Sequence, residues 1–284
     1  MADGGEGTAT VLAAALGGQW HEAKVSGPLG GELEARWVLL PDRTAVVESA
    51  QAIGLALVPE EERDPLRASS RGLGELIHAA LEEGPDAVLV CLGDSATVDG
   101  GAGLMELFGG FPIPVVAACD VRNPLLGPHG AARTFGPQKG ATPEQVDKLE
   151  ARLAARQSLA PFAELPGAGA AGGLGAALAA LGAELVPGAD LVLERISFRS
   201  AARTAALVVT GEGTVDRTTL EGKAPGAVLQ VCREEGVHCA VFAGRVDKPL
   251  PGAAMHELPG GPGRAREDLV ALGSGLAELL GQRL

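Results

Sequence analysis

Ala87-Val88-Leu89-Val90-Cys91-Leu92-Gly93-Asp94-Ser95-Ala96-Thr97-Val98-Asp99-Gly100-Gly101-Ala102-Gly103 is the stretch on which the reading of this chain turns. An unbroken apolar run over 87–92 is what a strand covered on both faces requires, and such strands occur in parallel sheets flanked by helices. The run breaks into a loop rich in glycine and hydroxyl groups. In α/β proteins, loops of this kind at the carboxyl end of a strand bring backbone N–H groups close to an anion. On the other side, Ser70 stands where a helix cap belongs. Leu73, Leu76, Ile77, Ala80 and Leu81 then recur on one helical face, and Gly84-Pro85 stops the helix before the strand begins. Helix, loop, strand and loop in that order make an α/β unit.

Working outward, the same grammar repeats. Residues 25–47 read as strand and turn, with Gly27-Pro28-Leu29-Gly30-Gly31 as the turn and Thr44–Val47 as a strand. Ser49–Leu57 reads as a short helix. After Gly103 a short helix ends near Phe108, and the apolar run 114–119 forms another strand. It opens into Asp120-Val121-Arg122-Asn123-Pro124. Phe135-Gly136-Pro137-Gln138-Lys139-Gly140 is a further loop. Thr142, Pro143 and Gln145 then start a helix with a capping box. Gly167–Gly175 leads into a helix ending near Gly182, and Ala189–Phe198 is helical. Ala205–Val209 is a strand feeding the loop Thr210-Gly211-Glu212-Gly213-Thr214-Val215-Asp216. A helix over Ala224–Glu235, a strand over His238–Phe242 and a terminal helix from near Ala265 follow.

Composition narrows the function. The 284 residues suffice for one large domain or two lobes, and a hydrophobic share of 46% argues against disorder. A formal net charge of -13 without a basic stripe argues against nucleic acid and anionic membranes as partners. No apolar run is long enough to span a bilayer and no signal peptide is evident, so a cytoplasmic protein acting on a small molecule is expected. The four cysteines form no C-x-x-C pair. Cys91 and Cys119 lie in apolar runs as small core residues, which fits a reducing compartment. None of the five histidines has the spacing of a zinc ligand.

The loops carry the candidate chemistry. Neither G-x-G-x-x-G with an acidic partner nor G-x-x-x-x-G-K-[ST] is present, so dinucleotide and P-loop readings fail. Ser95 and Thr97 offer hydroxyls to a phosphate or carboxylate, or close local turns. Asp99 holds Mg2+ or caps the next helix. Asp120 follows a buried strand as a catalytic acid would, or starts a turn before Asn123-Pro124. Glu212 and Asp216 bind a metal, or Asp216 accepts a hydroxyl proton. Phosphoryl transfer needs positive charge at the moving phosphate and an oriented hydroxyl. Lys139, Lys223 and Arg133 are the cations nearest these loops, although most such residues are solvated surface charges.

Taken together the loops resemble the bacterial type-1 glycerate kinase family. The resemblance rests on Ala2-Asp3-Gly4-Gly5-Glu6-Gly7-Thr8, Gly27–Gly30, Gly93–Gly103, Cys119-Asp120-Val121 with Asn123-Pro124-Leu125, Phe135–Ala141, and Thr210–Asp216 with Gly222-Lys223-Ala224-Pro225, in order. It implies an α/β protein of two lobes. One is a flavodoxin-like (Rossmann-like) parallel lobe from residues 1–30 and 195–284; the other is a mixed α/β lobe, 31–194, inserted into it, with the site in the cleft between them. It implies ATP-dependent phosphorylation of D-glycerate, usually to 2-phosphoglycerate, with Mg2+. Asp216 or Asp99 would orient or deprotonate the hydroxyl or hold Mg2+. Lys139 and Lys223 would neutralise phosphate or the glycerate carboxylate. The backbones of Gly93, Gly100, Gly101, Gly211 and Gly213 would cradle anionic groups, and Ser95, Thr97, Asp120, Asn123 and Glu212 would complete the binding set.

The chain departs from that family in three places. No strand and P-D-S-F-K-G-like loop precedes Asp3-Gly4-Gly5, which suggests a late start codon or a shortened homologue with an exposed sheet edge. The segment after Phe108-Gly109-Gly110 is short. Asp94 stands where the family has glycine, and its carboxylate repels phosphate unless a cation offsets it. The alternatives are a non-catalytic homologue that binds an organic acid or a protein partner, and an oxidoreductase with a nucleotide cofactor, against which the absent G-x-G-x-x-G argues.

Overall fold

The structure, a computed structural model, describes residues 2–220 and 223–281. It divides into two compact units, Ala2–Val192 and the chain from Leu193 onward.

In the first unit six strands, β1 (Gln19–Ser26), β2 (Glu32–Leu39), β3 (Thr44–Glu48), β4 (Ala87–Leu92), β5 (Val115–Cys119) and β6 (Glu184–Pro187), lie side by side in chain order. β1, β2 and β3 pair antiparallel, and β3 to β6 pair parallel. Short connections allow the antiparallel pairs. The β1–β2 turn closes with Gly30 at φ +94°, a conformation that glycine adopts without a side-chain clash. Parallel neighbours need crossovers. These contain α2 (Ser49–Ile53) and α3 (Arg71–Glu82), then α4 (Ala102–Met105), then α5 (Ala131–Phe135), α6 (Pro143–Ala154) and α7 (Ala170–Ala180). All of β3 and all but the first residue of β4 are buried, as a doubly covered strand requires. Leu73, Leu76 and Ile77 of α3 are fully buried against this sheet, each contributing about 1.5–3 kcal/mol. A second core, with Val98, Leu125, Leu149, Leu153 and Leu159, lies under the loop that follows β4.

The expected strand over 87–92 and the helix after Ser70 form as read, and Thr142 and Gln145 make the capping box reciprocally. Two details differ. Ser70 occupies the N-cap position of α3 but does not cap it. The helix Thr8–Leu16, here numbered before α2 as α1, has no counterpart in the expectations. Its N-cap, Gly7, is left-handed and has no side chain. The capping acceptor is instead Glu48 Oε1 at the end of β3, which takes the Ala9 N–H at 2.7 Å. Residues 19–26 also pair with β2 along their whole length, so β1 belongs to the six-stranded sheet, whereas the resemblance groups 1–30 with 195–284.

α8 (Gly188–Arg195) carries the division between the units. The second unit is a parallel sheet of β7 (Val208–Val215), β8 (Cys239–Val246) and β9 (Ala254–Glu257), with α9 (Phe198–Arg203), α10 (Ala224–Glu235) and α11 (Ala265–Gly281). Val208, Val215, Val228, Leu229, Cys232, Cys239 and Val241 form its core. Here one expectation is corrected. Thr210–Val215 is strand, not loop: Gly211 pairs with Phe242, Glu212 with Ala243 and Val215 with Val246. The glycine that reads as a loop residue serves packing instead, since a Cβ at Gly211 would lie 2.4 Å from the Phe242 carbonyl oxygen. The mixed α/β class with two units, each holding parallel strands, stands as expected.

Candidate functional site

The loop after β4 is tied down by its own backbone. Gly93 N–H donates to Ser49 Oγ at 3.1 Å, and the Ser49 hydroxyl donates to the Gly93 carbonyl at 2.8 Å. Ala96 N–H donates to the Ile53 carbonyl at 2.8 Å, and Gly100 N–H to the Gly172 carbonyl at 3.1 Å. Asp99 takes the rest. Its Oδ1 accepts from Gly101 N at 3.0 Å, and its Oδ2 accepts from Gly103 N, Ser70 N and Ser70 Oγ at 3.2, 2.9 and 2.8 Å. This corrects the expected anion cradle. Buried N–H groups need acceptors, and those of Gly93, Gly100 and Gly101 find them inside the protein, so these three are not donors to a ligand. Of the two readings of Asp99, the structural one is realised.

Lys139 reaches the loop from beneath. It ends a 3₁₀ turn, Pro137–Lys139, that follows α5, and the next residue, Gly140, has φ +92°. The residue is 3% exposed. Nζ donates to Ser95 Oγ at 2.9 Å and to the Thr97 carbonyl at 2.8 Å. Burial pulls the ammonium down from its ordinary value to about 7, with the Asp99 and Asp94 carboxylates acting against that shift.

Lys139 and Ser95 line a cavity of about 280 Å³ at the carboxyl ends of β4 and β5. Asp3, Glu6, Asp94, Asp120 and Gln138 supply its other polar side chains, and Leu55, Val121 and Phe135 its apolar wall. The segment with Asp3 and Glu6 crosses the strand ends through glycine-only approaches: a Cβ at Gly4 would lie 2.4 Å from Gly188 Cα, and one at Gly93 would lie 3.0 Å from Gly5 Cα. Asp94 (φ +46°) and Ala171 (φ +50°), both lining the cavity, hold a left-handed conformation that costs residues with a Cβ free energy. Such strain collects at ligand sites.

Of the expected site residues in this unit, the cavity brings together Gly93, Ser95, Asp120 and Lys139. Thr97 contributes its carbonyl to Lys139 while its hydroxyl is buried without a partner. Asn123 is turned to other work: its amide donates to the His129 carbonyl at 2.7 Å. Asp99 lines a separate cavity beside Arg152 and Arg156. Asp3, Glu6 and Gln138 were not singled out as candidates, although each lies in a stretch that carries the family resemblance.

In the second unit Glu212 joins Thr219 and Lys223. The Thr219 hydroxyl donates to Glu212 Oε1 at 2.5 Å and accepts from Asp216 N at 3.0 Å, while Lys223 Nζ stands 3.4 Å from Glu212 Oε2. Lys223 is the N-cap of α10, where an ammonium adds to the positive end of the helix and suits an anion. Gly222, the neighbour of Lys223 in the expected motif, lies outside the described residues. Gly211 and Gly213 lie within β7.

Among the described residues no three histidine, cysteine, aspartate or glutamate side chains gather to hold a metal ion, and no helix is long and apolar enough to cross a membrane. All four cysteines are free and buried; burial raises the Cys119 thiol to about 11 and Cys239 to about 12, so neither serves as a nucleophile.

The first unit's cavity therefore offers one buried ammonium and four carboxylates. It suits a small ligand with hydroxyls to donate and a single anionic group to meet the lysine. Comparison with known proteins bears on this chemistry. The profile described as the Glycerate kinase family matches residues 1–113 and 110–258. A glycerate kinase of Halalkalibacterium halodurans is 41% identical over 91% of this chain and 78% of its own length. The protein named glycerate 2-kinase in Escherichia coli K12 is 40% identical over 82% of this chain and 72% of its own. The solved structure that carries the name glycerate kinase 2, from Salmonella typhimurium LT2, superposes with a TM-score of 0.82 at 33% identity, covering 100% of this chain and 89% of that one.

Proposed function

This chain belongs to the glycerate kinase family and is a kinase that phosphorylates glycerate, and from that premise we propose that it uses ATP to phosphorylate D-glycerate on its 2-hydroxyl, in the cytoplasm. The observation that carries the reading is the cavity in which the buried Lys139 faces four carboxylates. A glycerate carboxylate would meet the Lys139–Ser95 pair, and the two hydroxyls would donate to carboxylates such as Asp94 and Asp120. The choice of the 2-hydroxyl is supported by the name of the Escherichia coli relative. In the second unit, Lys223 at the start of α10 would neutralise phosphate. Asp99 gives up its expected role of orienting the acceptor hydroxyl, because both of its oxygens are engaged by internal donors.

Mg2+ enters this proposal as the counter-ion that nucleotide phosphates bring with them, since Mg2+ at kinase sites is held largely by substrate phosphates. The residues expected to seat it are not gathered for it: Asp99 Oδ2 is taken up by Gly103 N, Ser70 N and Ser70 Oγ, and no group of three ligands gathers among the described residues. No step is derived through the metal.

The test is ADP release from Mg-ATP with and without D-glycerate, followed by enolase added without phosphoglycerate mutase. Phosphoenolpyruvate forming directly marks 2-phosphoglycerate. Product that yields phosphoenolpyruvate only once the mutase is added marks the 3-isomer and refutes the choice of hydroxyl. A thermal shift with D-glycerate but no ADP release refutes the kinase assignment in favour of a binding protein.

A further inference from the structure

Lys139 is the only basic side chain that lines the cavity among the described residues, and it stands behind the loop rather than in the open. A protonated Nζ carries three donors and no acceptor. One proton goes to the Thr97 carbonyl and one to Ser95 Oγ. Ser95 Oγ, as an acceptor, then has its own proton free to point elsewhere, and Ser95 lines the cavity. A neutral amine reverses this. It keeps a proton for Thr97 but gains a lone pair, so the Ser95 hydroxyl can donate back to Nζ and present only lone pairs to a ligand.

We propose that Lys139 is a positioning residue that sets the polarity of Ser95: with an ammonium behind it Ser95 donates to an anionic hydroxy acid, and with a neutral amine behind it Ser95 rejects the anion. The proposal deepens the functional reading above and rests on it. Binding a carboxylate in this cavity then takes up a proton on Lys139, because a nearby negative charge favours the charged form of an amine.

The surroundings make the titration fall in a useful range. Burial places Lys139 near 7. Asp94 and Asp99 face it from the loop after β4, Asp3 and Glu6 line the cavity from the N-terminal segment, and Asp120 does so from the end of β5. On its own side, the Arg63 guanidinium donates to the carbonyl of the neighbouring Gln138 at 3.5 Å, while Arg133 of α5 is paired with Asp147 at 3.2 Å. The part of α7 that lines the cavity, Ala170 and Ala171, brings no charge.

The experiment measures KM for D-glycerate from pH 6 to pH 9 at saturating Mg-ATP, with kcat recorded alongside. The wild-type KM is expected to rise above neutrality, approaching about tenfold per pH unit where the protonated form is required, while kcat changes far less. Lys139→Met should raise KM at pH 6.5 by at least about tenfold and abolish the slope, since one pH-dependent interaction has gone. Ser95→Ala keeps the lysine and its Thr97 bond, so it carries the test if the Met variant does not fold; it should raise KM and flatten the slope. Turnover with a flat wild-type KM, or a Ser95→Ala enzyme with the wild-type slope, overturns the inference and leaves the kinase assignment standing. Absence of D-glycerate-dependent turnover at every pH refutes the kinase assignment, and the inference falls with it.

Discussion

Replacing Gly172 by alanine tests how the loop carrying Ser95 and Thr97 is held in place. Gly172 sits near the start of α7 with φ +74°, and a Cβ there would lie 1.9 Å from the Thr97 carbonyl oxygen and 2.8 Å from Val98 Cα. Two costs follow. The left-handed backbone costs a residue with a Cβ about 1–2 kcal/mol. Forcing the loop to move adds an overpacking cost of about 1–3 kcal/mol. Against these, alanine stiffens the unfolded chain by about 0.4–1 kcal/mol. The net is a loss of about 3 kcal/mol, which in a unit of this size lowers Tm by roughly 6–12 °C.

Gly182→Ala is the control. Gly182 has φ +97° with nothing within 4 Å of the added carbon, so it carries the backbone cost alone. A Tm fall of roughly 2–4 °C is expected there. Both variants are melted by circular dichroism, and KM for D-glycerate is measured on each at a temperature where it is folded. Because the clash falls on the carbonyl that anchors Lys139, only Gly172→Ala should raise KM. If it melts no lower than Gly182→Ala, the close approach of α7 to Thr97 is not what holds the loop.

Three further outcomes check other parts of the structure. Leu76→Ala, at a fully buried position of α3, should cost about 2–5 kcal/mol in urea unfolding without changing the m-value; a loss under 1 kcal/mol would mean that α3 does not pack on the sheet as described. Thr142→Ala removes half of the α6 capping box and should cost about 1 kcal/mol, with Thr142→Ser restoring most of it. Glu48→Gln probes a carboxyl that burial raises above the ordinary 4.5. A raised acid contributes stability that is present at low pH and lost as pH rises through its folded value. The variant should therefore gain on wild type between pH 4.5 and pH 7.5, and a constant difference across that window would contradict the assignment.

The elements legible in the sequence are those whose signals are local. β4 follows from an unbroken apolar run, α3 from a 3.6-residue stripe, α6 from its capping box and α10 from Pro225 in its first turn and Gly236 after its last. The elements that escaped have signals elsewhere in the chain. α1 is alanine-rich, has a low periodic contrast, and takes its cap from Glu48, 39 residues away. β6 and β9 are four-residue strands with no buried residue, so neither shows an apolar run. Gly211 and Gly213 read as loop because glycine is a loop residue by default, and only the ring and carbonyl of Phe242 explain why one sits mid-strand.

The site divides in the same way. From the sequence alone it follows that several strands end in loops of glycine, hydroxyl and carboxylate, and that their order matches the glycerate kinases. Local spacing determines that much, because strand, loop and helix signals act over a few residues. What each polar group does was decided only by folding. The loop glycines that look like donors to a phosphate are engaged by Ser49, Gly172 and Asp99, from segments 44 residues before Gly93, 72 after Gly100 and two before Gly101. Lys139, which in the sequence is either a cation for the ligand or a solvated surface charge, is the buried partner of Ser95, 44 residues earlier. Hydrogen-bond partners across such distances are set by how the sheet and its crossovers stack. Burial then turns each pairing into a changed charge or a donor withdrawn, which residue type and spacing do not encode.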